Sequence, residues 1–124
     1  MAEFRAALRR FLRITERNAR AADLTPQRYL LLLMIKGAAD GSEQSTVTEL
    51  AERLQLAQST VTELVRRAEE VGLVERETSA VDGRVAHLRV TEEGERRLAH
   101  AVARLTGERD ALRATFQQLD EATP

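Results

Sequence analysis

The sequence predicts a mostly α-helical protein with one small β-hairpin, and three observations lead to that prediction. Apolar residues recur at helical spacing over most of the chain, and an Asp-Gly pair separates two short stretches of strand character. The chain has 124 residues, 43% of them apolar and 31% charged, which suits one globular domain. It contains no cysteine, which excludes a disulfide framework, thiolate zinc, an iron–sulfur cluster and a cysteine-based redox sensor.

The charge distribution argues against binding of nucleic acid by bulk charge. The net charge is −1, and the most basic segment, residues 1–22, holds six arginines and two glutamates. If the chain binds nucleic acid, it does so through a few placed side chains.

A cytoplasmic protein is the expectation from hydropathy. The longest apolar run, residues 29–35, falls far short of the roughly 18 residues that span a bilayer. The N-terminal residues lack the apolar stretch of a signal peptide.

Two helices are predicted in the first third of the chain. Over residues 2–22, one stripe is apolar, and arginines at positions 5, 9, 13 and 17 form a ladder on another face. The ladder is either a solvated face or a surface that reaches DNA phosphates or an acidic partner. Thr25 and Pro26 then supply a cap and a first-turn proline for a buried helix, which ends in a loop over residues 37–45.

Two short helices separated by a three-residue turn follow. Thr46 and Glu49 have the spacing of a capping box and open a helix over residues 46–54. A second helix runs from about residue 58 to 71, and Gly72 ends it. Its apolar stripe faces the core, which leaves a polar stripe free, made of Ser59, Thr62, Glu63, Arg66 and Glu70.

A β-hairpin and a long final helix complete the chain. The strands cover residues 73–78 and 85–91, with Asp82-Gly83 in the connection between them. The final helix opens at Thr91 and carries an apolar heptad stripe, with Gly107 as a weak point in its middle. The stripe predicts a homodimer through the first and last helices. The residues assigned to that interface are Phe4, Leu8, Phe11, Leu98, Val102, Leu105, Leu112 and Phe116.

Two short helices joined by a tight turn and followed by a hairpin describe a winged helix-turn-helix. A helix fits the major groove of DNA only when another element holds it at a fixed angle. Helix 46–54 would be that support and helix 58–71 the reader, while the hairpin tip is narrow enough for the minor groove. Residues 1–124 are expected to form one domain. In it, residues 24–91 are the DNA-binding lobe, and residues 1–22 and 92–120 are the dimerisation helices.

The motifs of this region resemble the MarR (multiple-antibiotic-resistance regulator) family. The resemblance covers residues 24–100, near two-thirds of the chain, and implies a homodimeric bacterial or archaeal transcription regulator. It also implies binding to a pseudo-palindromic operator and release by a small ligand. The motifs, in order, are Leu24-Thr25, Thr48-Glu-Leu-Ala51, Gln58-Ser-Thr-Val-Thr62, Val71-Gly-Leu-Val-Glu-Arg76, Asp82-Gly-Arg84 and Leu88-Arg-Val-Thr-Glu-Glu-Gly94.

The resemblance implies which residues contact DNA. Arg84 matches the wing arginine that enters the minor groove, and Asp82 matches the aspartate of the same motif. Arg76 matches an arginine at the base of the wing, although it could instead pair with an acid such as Glu75 or Glu77. Base and phosphate contacts are expected from the start of the recognition helix and from its polar stripe, at Gln58, Ser59, Thr60, Thr62, Glu63 and Arg66.

Some features depart from the family pattern. Ala57 takes a helix N-cap position where the family often has serine, which forfeits about 1 kcal/mol of capping. Glu63 stands where a basic residue is common, and Ala68 where a large leucine is usual. The sequence ends at Pro124, before the last helix of most relatives, which predicts a dimer that is smaller, rearranged or completed by a partner.

The alternative function is a winged-helix protein-interaction module with weak or no DNA binding, which would suit an acidic recognition helix. An enzyme is disfavoured, because the sequence has no nucleophile elbow and no phosphate-cradling glycine loop. His87 and His100 are the only histidines, so no metal, cofactor or catalytic residue is expected. Any effector is expected to be a small, mostly apolar organic molecule bound between the two lobes.

Overall fold

The computed structural model describes residues 1–78 and 85–122 and confirms the predicted winged helix-turn-helix fold. The three strands form one antiparallel sheet in the order β1-β3-β2. None of the described helices is both long and apolar enough to cross a bilayer. In chain order the elements are α1 (Ala2–Ala21), α2 (Pro26–Lys36), β1 (Gln44–Ser45), α3 (Val47–Leu54), α4 (Gln58–Glu70), β2 (Val74–Thr78), β3 (Ala86–Val90), α5 (Glu92–Val102) and α6 (Thr106–Ala122).

Capping groups fix the starts of α2 and α3 as predicted. Thr25 Oγ1 accepts a hydrogen bond from the backbone N–H of Arg28 at 3.1 Å, and Pro26 occupies the first turn of α2. Thr46 and Glu49 form a complete capping box, with reciprocal hydrogen bonds of 3.2 and 3.1 Å. These bonds satisfy N–H groups that a helix start leaves without an intrahelical partner.

Helix α2 is the centre of the core. Its residues Leu31, Leu32 and Ile35 are fully buried, and α1, α3, α4 and α5 all pack against it. Arg53 of α3 donates from Nη1 to the carbonyl oxygens of Met34 and Gly37, at 3.0 and 3.1 Å. This cation at the C-terminus of α2 satisfies carbonyls that the helix leaves free, and it ties α3 to α2.

The turn between α3 and α4 sets the crossing of those two helices. Gln55 adopts the left-handed conformation, with φ of 56°, which ends α3. Helix α4 then starts after Ala57 and ends at Glu70, where Gly72, with φ of 76°, allows the chain to reverse into β2. Ala68, at the position where the resemblance implies a larger leucine, is fully buried.

The sequence did not indicate strand β1, which lies inside the predicted loop. Gln44 and Ser45 pair with Arg89 and Leu88 of β3, so that the wing strands join a third strand. Two residues are too few to give a period-two pattern, so only the tertiary pairing defines this strand.

The prediction of one continuous final helix is wrong, because the helix breaks at residues 103–105. Leu105 turns into the core, where it is 2% exposed, and its N–H bonds to the carbonyl of Val102, three residues back. Its own carbonyl accepts from Arg109 N–H at 2.9 Å, which starts α6. Thr106 and Gly107 have low helix propensity, which favours a break here. The chain therefore has two helices, α5 and α6, where the sequence predicted one.

The start of α5 is joined to the base of the wing through Thr91. Thr91 Oγ1 donates to the carbonyl of Gly72 at 2.6 Å and accepts from the N–H of Gly94 at 3.1 Å. The N–H of Thr91 donates to the carbonyl of Leu73 at 3.0 Å. A Cβ on Gly94 would lie 2.7 Å from Val90 Cγ1 and closer still to the Leu73 carbonyl oxygen. Only glycine fits at this contact without displacing backbone.

Gly94→Ala is expected to lower the free energy of unfolding by about 1–3 kcal/mol, because the new methyl group must displace the Leu73 carbonyl. Urea denaturation followed by circular dichroism measures this. Gly107→Ala is the matched control, since a Cβ on Gly107 would meet no other atom within 4 Å. The close contact would be disproved if both variants unfold at the same urea concentration as the parent.

Candidate nucleic-acid and subunit interfaces

The first half of α4 presents polar side chains to solvent. Gln58, Ser59 and Thr62 are exposed, whereas Val61 and Val65 on the opposite side of the helix are fully buried. Thr60 is exposed as well. Helical periodicity thus separates a core face from a free polar face, and the predicted reading residues lie on or beside the free face.

The start of α4 is open to an anion. Its N-cap residue is Ala57, which has no side chain that could accept a hydrogen bond, as the sequence indicated. Gln58 Nε2 instead donates to Thr48 Oγ1 of α3 at 3.3 Å, so α3 orients the first side chain of α4. Backbone N–H groups at a helix start favour phosphate and other anions.

Thr48 belongs to one of the motifs quoted above but was not predicted to lie at the site. It contacts Gln58 because α3 and α4 cross at this point. Residue spacing within one helix carries no information about such a crossing, so no sequence signal could have found it.

The charged residues in the second half of α4 neutralise one another. Glu63 accepts from Arg66 Nε and Nη2, at 2.9 and 2.6 Å, and from Arg67 Nε at 3.0 Å. On its other side, Arg66 donates from Nη1 to Glu70 Oε1. We call Glu63, Arg66, Arg67 and Glu70 the α4 ion network.

The hydrogen bonds from Arg66 and Arg67 lower the pKa of Glu63 from its ordinary 4.5 to about 2. Glu63 is therefore ionised throughout the neutral range, and the α4 ion network is intact there. Helix α4 holds two arginines and three glutamates, so the helix itself has a net charge of −1.

At the base of the wing, Arg76 pairs with a residue that the sequence analysis did not consider. Its Nε donates to Glu69 Oε1 of α4 at 2.9 Å, which links β2 to α4. The pairing with Glu75 or Glu77 is therefore corrected. Glu77 lies instead 3.8 Å from Arg89 of β3. Asp82 and Arg84, which the sequence assigns to the wing, lie outside the described residues.

A second candidate surface lies where α1 and α6 meet. The two helices run in opposite directions, since Phe4 near the start of α1 contacts Phe116 near the end of α6. The two rings meet edge to face, with centroids 5.6 Å apart. The Phe116 side chain remains 57% exposed, and an open apolar groove of about 330 Å³ runs beside it. The groove is lined by Phe4, Phe11, Arg109, Leu112, Arg113 and Phe116.

The structure removes two residues from the subunit interface assigned from the sequence. Leu98 and Leu105 are 5% and 2% exposed and belong to the core of the chain itself. They have almost no surface to offer a partner. Val102 is half-buried against the same core, and Leu8 is half-buried on α1. The heptad stripe predicted Leu98 and Leu105 at the interface wrongly, because the helix breaks at residues 103–105 and the first half of the stripe packs into the core.

An apolar pocket of about 320 Å³ lies between α2 of the winged-helix lobe and α5. At its rim, Lys36 Nζ donates to Glu43 at 2.9 Å and to Glu95 at 2.7 Å. These hydrogen bonds raise the pKa of Lys36, so this cluster carries one positive and two negative charges. The pocket is lined by Leu33, Lys36, Gly37, Glu95, Leu98, Ala99 and Val102.

Over residues 1–78 and 85–122, no three His, Asp or Glu side chains are grouped as a metal ion would require. His87 lies on β3 opposite Glu77, and His100 lies on α5. The described residues thus offer a polar helix face, an apolar groove and an apolar pocket, all of which suit binding.

Comparison with known proteins identifies relatives of this arrangement. A family profile described as MarR family matches residues 22–85. No match to the sequence was found among curated proteins.

Solved structures share the fold at low sequence identity. A mutant of E. coli MarR, complexed with operator DNA, is 20% identical with a TM-score of 0.73, over 97% of this chain and 90% of that one. A mutant of S. aureus MepR, bound to an oligodeoxyribonucleotide, is 19% identical with a TM-score of 0.69, over 99% and 96%. AbsC from Streptomyces coelicolor, a MarR family transcriptional regulator, is 22% identical with a TM-score of 0.72, over 94% and 82%.

Proposed function

Because the chain belongs to the MarR family, we propose that it is a sequence-specific, DNA-binding transcription regulator, homodimeric on a pseudo-palindromic operator and responsive to a small ligand. The main support for the proposal is the first half of α4, which exposes polar side chains on one face and buries an apolar stripe on the other. Solved proteins of this fold include a complex with operator DNA and another with an oligodeoxyribonucleotide.

In this proposal the start of α4 enters the major groove. Gln58, Ser59 and Thr62 offer amide and hydroxyl groups to base edges, and the open helix start offers N–H groups to a phosphate. Arg84 would reach the minor groove, and Asp82 would hold the wing tip. The alternative is a protein-interaction module. It is supported by the net charge of −1 on α4, because negative charge is unfavourable near phosphates.

Selection of genomic fragments with the purified protein would identify an operator. It should be a pseudo-palindrome with half-sites about 10 bp apart, or a multiple of that, because a two-fold dimer places its readers one helical turn apart. Gln58→Ala and Thr62→Ala are expected to change base preference by about 1–3 kcal/mol at single positions, since they remove base contacts. Titrations against single-base operator variants measure this.

Gln117→Ala is the matched control for those variants, because Gln117 is exposed on α6, outside the DNA-binding lobe. If Gln58→Ala and Thr62→Ala keep both affinity and base preference, the protein-interaction module becomes the better proposal.

The groove between α1 and α6 supports the homodimer. The Phe116 side chain is 57% exposed beside an open apolar groove, and exposure of apolar surface to water is unfavourable. A second copy of the chain has the same apolar surface and can cover it. The interface in this proposal contains Phe4, Leu8, Phe11, Val102, Leu112 and Phe116, without Leu98 and Leu105.

Phe116→Glu is expected to give monomers, because the charge would be buried against apolar surface of the partner. Phe116 is largely exposed in the single chain, so the fold should survive the substitution. Sedimentation equilibrium should show twice the 13.9 kDa chain mass for the parent and the chain mass for the variant. Leu56→Glu, at an exposed leucine in the turn before α4, should remain dimeric. A monomeric parent at micromolar concentration would rule out the homodimer.

The pocket between α2 and α5 supports a small effector. Its volume is at the lower end of the range for ligand pockets, and its walls are mostly apolar. The charged cluster at its rim already satisfies Lys36 and leaves a net charge of −1, which disfavours a carboxylate ligand. An uncharged or cationic amphipathic molecule fits this chemistry better.

Thermal unfolding measured against small amphipathic compounds tests the effector. Uncharged and cationic compounds are expected to raise Tm more than matched carboxylates, because binding to the folded state alone stabilises it. Ala99→Phe should abolish that shift by filling the pocket, since Ala99 lines it and is exposed. Equal shifts in the variant and the parent would place the ligand elsewhere.

A further inference from the structure

Arg66, on the free face of α4, is already held by two glutamates. Arg66 lies on the free face of α4 and is about half-exposed, but three of its five N–H donors bind Glu63 and Glu70. Glu63 and Glu70 place a carboxylate on either side of Arg66, and Arg67 also binds Glu63, so the α4 ion network has no net charge.

The two glutamates beside Arg66 affect its interaction with phosphates and with base edges differently. A phosphate that approaches Arg66 also approaches two carboxylates, and their repulsion opposes the attraction of the guanidinium. A base edge is uncharged and meets no such repulsion. Binding to any DNA sequence depends on phosphate contacts, whereas discrimination between sequences depends on base contacts.

We propose that Glu63 and Glu70 act as a specificity filter, which holds Arg66 at the base-reading face of α4 and denies it to phosphates. The proposal rests on the proposed DNA-binding function and adds specificity-determining residues to it. The filter lowers the affinity for unrelated DNA more than the affinity for the operator, because only the held position of Arg66 is useful at the operator. Specificity is gained here by weakening the wrong complexes.

The test compares Glu70→Gln and Glu63→Gln with the parent, on the selected operator and on a scrambled duplex of equal length. Glu70→Gln frees a donor of Arg66 alone, whereas Glu63→Gln frees donors of Arg66 and of Arg67. The affinity for the scrambled duplex should rise about two- to fivefold, the range that corresponds to the loss of one exposed ion pair. The affinity for the operator should change less, so the specificity ratio falls. The salt dependence of scrambled-duplex binding should steepen by about one phosphate contact.

Two controls separate the filter from bulk charge. Glu52→Gln removes one exposed carboxylate from α3 that forms no ion pair in the described part of the chain, and it should leave the ratio unchanged. In an Arg66→Ala background, Glu70→Gln should no longer change the ratio, because the residue it releases is gone.

The possible failures are distinguishable. If the parent selects an operator but the glutamate variants keep its specificity ratio, the filter is overturned and the proposed function stands. An equal loss of ratio in Glu52→Gln also overturns the filter, since bulk charge would then explain the effect. If the parent binds no fragment, the proposed function itself fails, and the filter fails with it.

Discussion

The contact between Gly94 and the backbone of Leu73 is the constraint on which the rest of the structure depends. At this point the end of α4, the first wing strand and the start of α5 come together. Thr91 bonds to the carbonyls of both Gly72 and Leu73, and Gly94 has no side chain that would hold α5 away. The helix proposed to read DNA is thereby fixed relative to α5. The contacts of α5 at this point are with the backbone at the base of the wing and just after the end of α4.

Charge is arranged very differently on α4 and on α1. The arginines of α4 are held by glutamates of the same helix. The six arginines of α1 are all exposed, and none forms an ion pair with another described residue. Because the chain has a net charge of −1, a DNA-binding surface must depend on local groups rather than on the total charge. The hydroxyls, the amide and the open helix start at the beginning of α4 are suited to reading bases, and they contribute little long-range attraction.

Helix α2 connects the regions to which separate roles are proposed. It packs against α1 on one side and against α3 and α4 on another, and the pocket at Lys36 lies between it and α5. A ligand in that pocket would contact α2 and α5 together. Helix α2 packs against α4, and α5 is hydrogen-bonded through Thr91 to Gly72 and Leu73, which follow α4. Coupling of ligand and DNA binding would require that the two states of the protein differ in this packing. The structure supplies a continuous path of packed elements over which such a difference could act.

The sequence by itself determined most of the helix ends and the overall fold. Thr25, Thr46 and Gly72 mark helix ends through bonds and backbone angles that involve only near neighbours, and the spacing of Val61, Val65 and Ala68 defines the buried side of α4. The tertiary structure alone decided which residues of different helices and strands contact each other. It paired Arg76 with Glu69, and it turned Leu98 and Leu105 inward where the heptad stripe had placed them in a subunit interface. A heptad pattern predicts that a residue is buried. It does not distinguish burial in the core of the same chain from burial against a second copy. At residues 103–105 the helix breaks, and Leu105 joins a core cluster whose other residues come from distant parts of the sequence, where its burial is favourable.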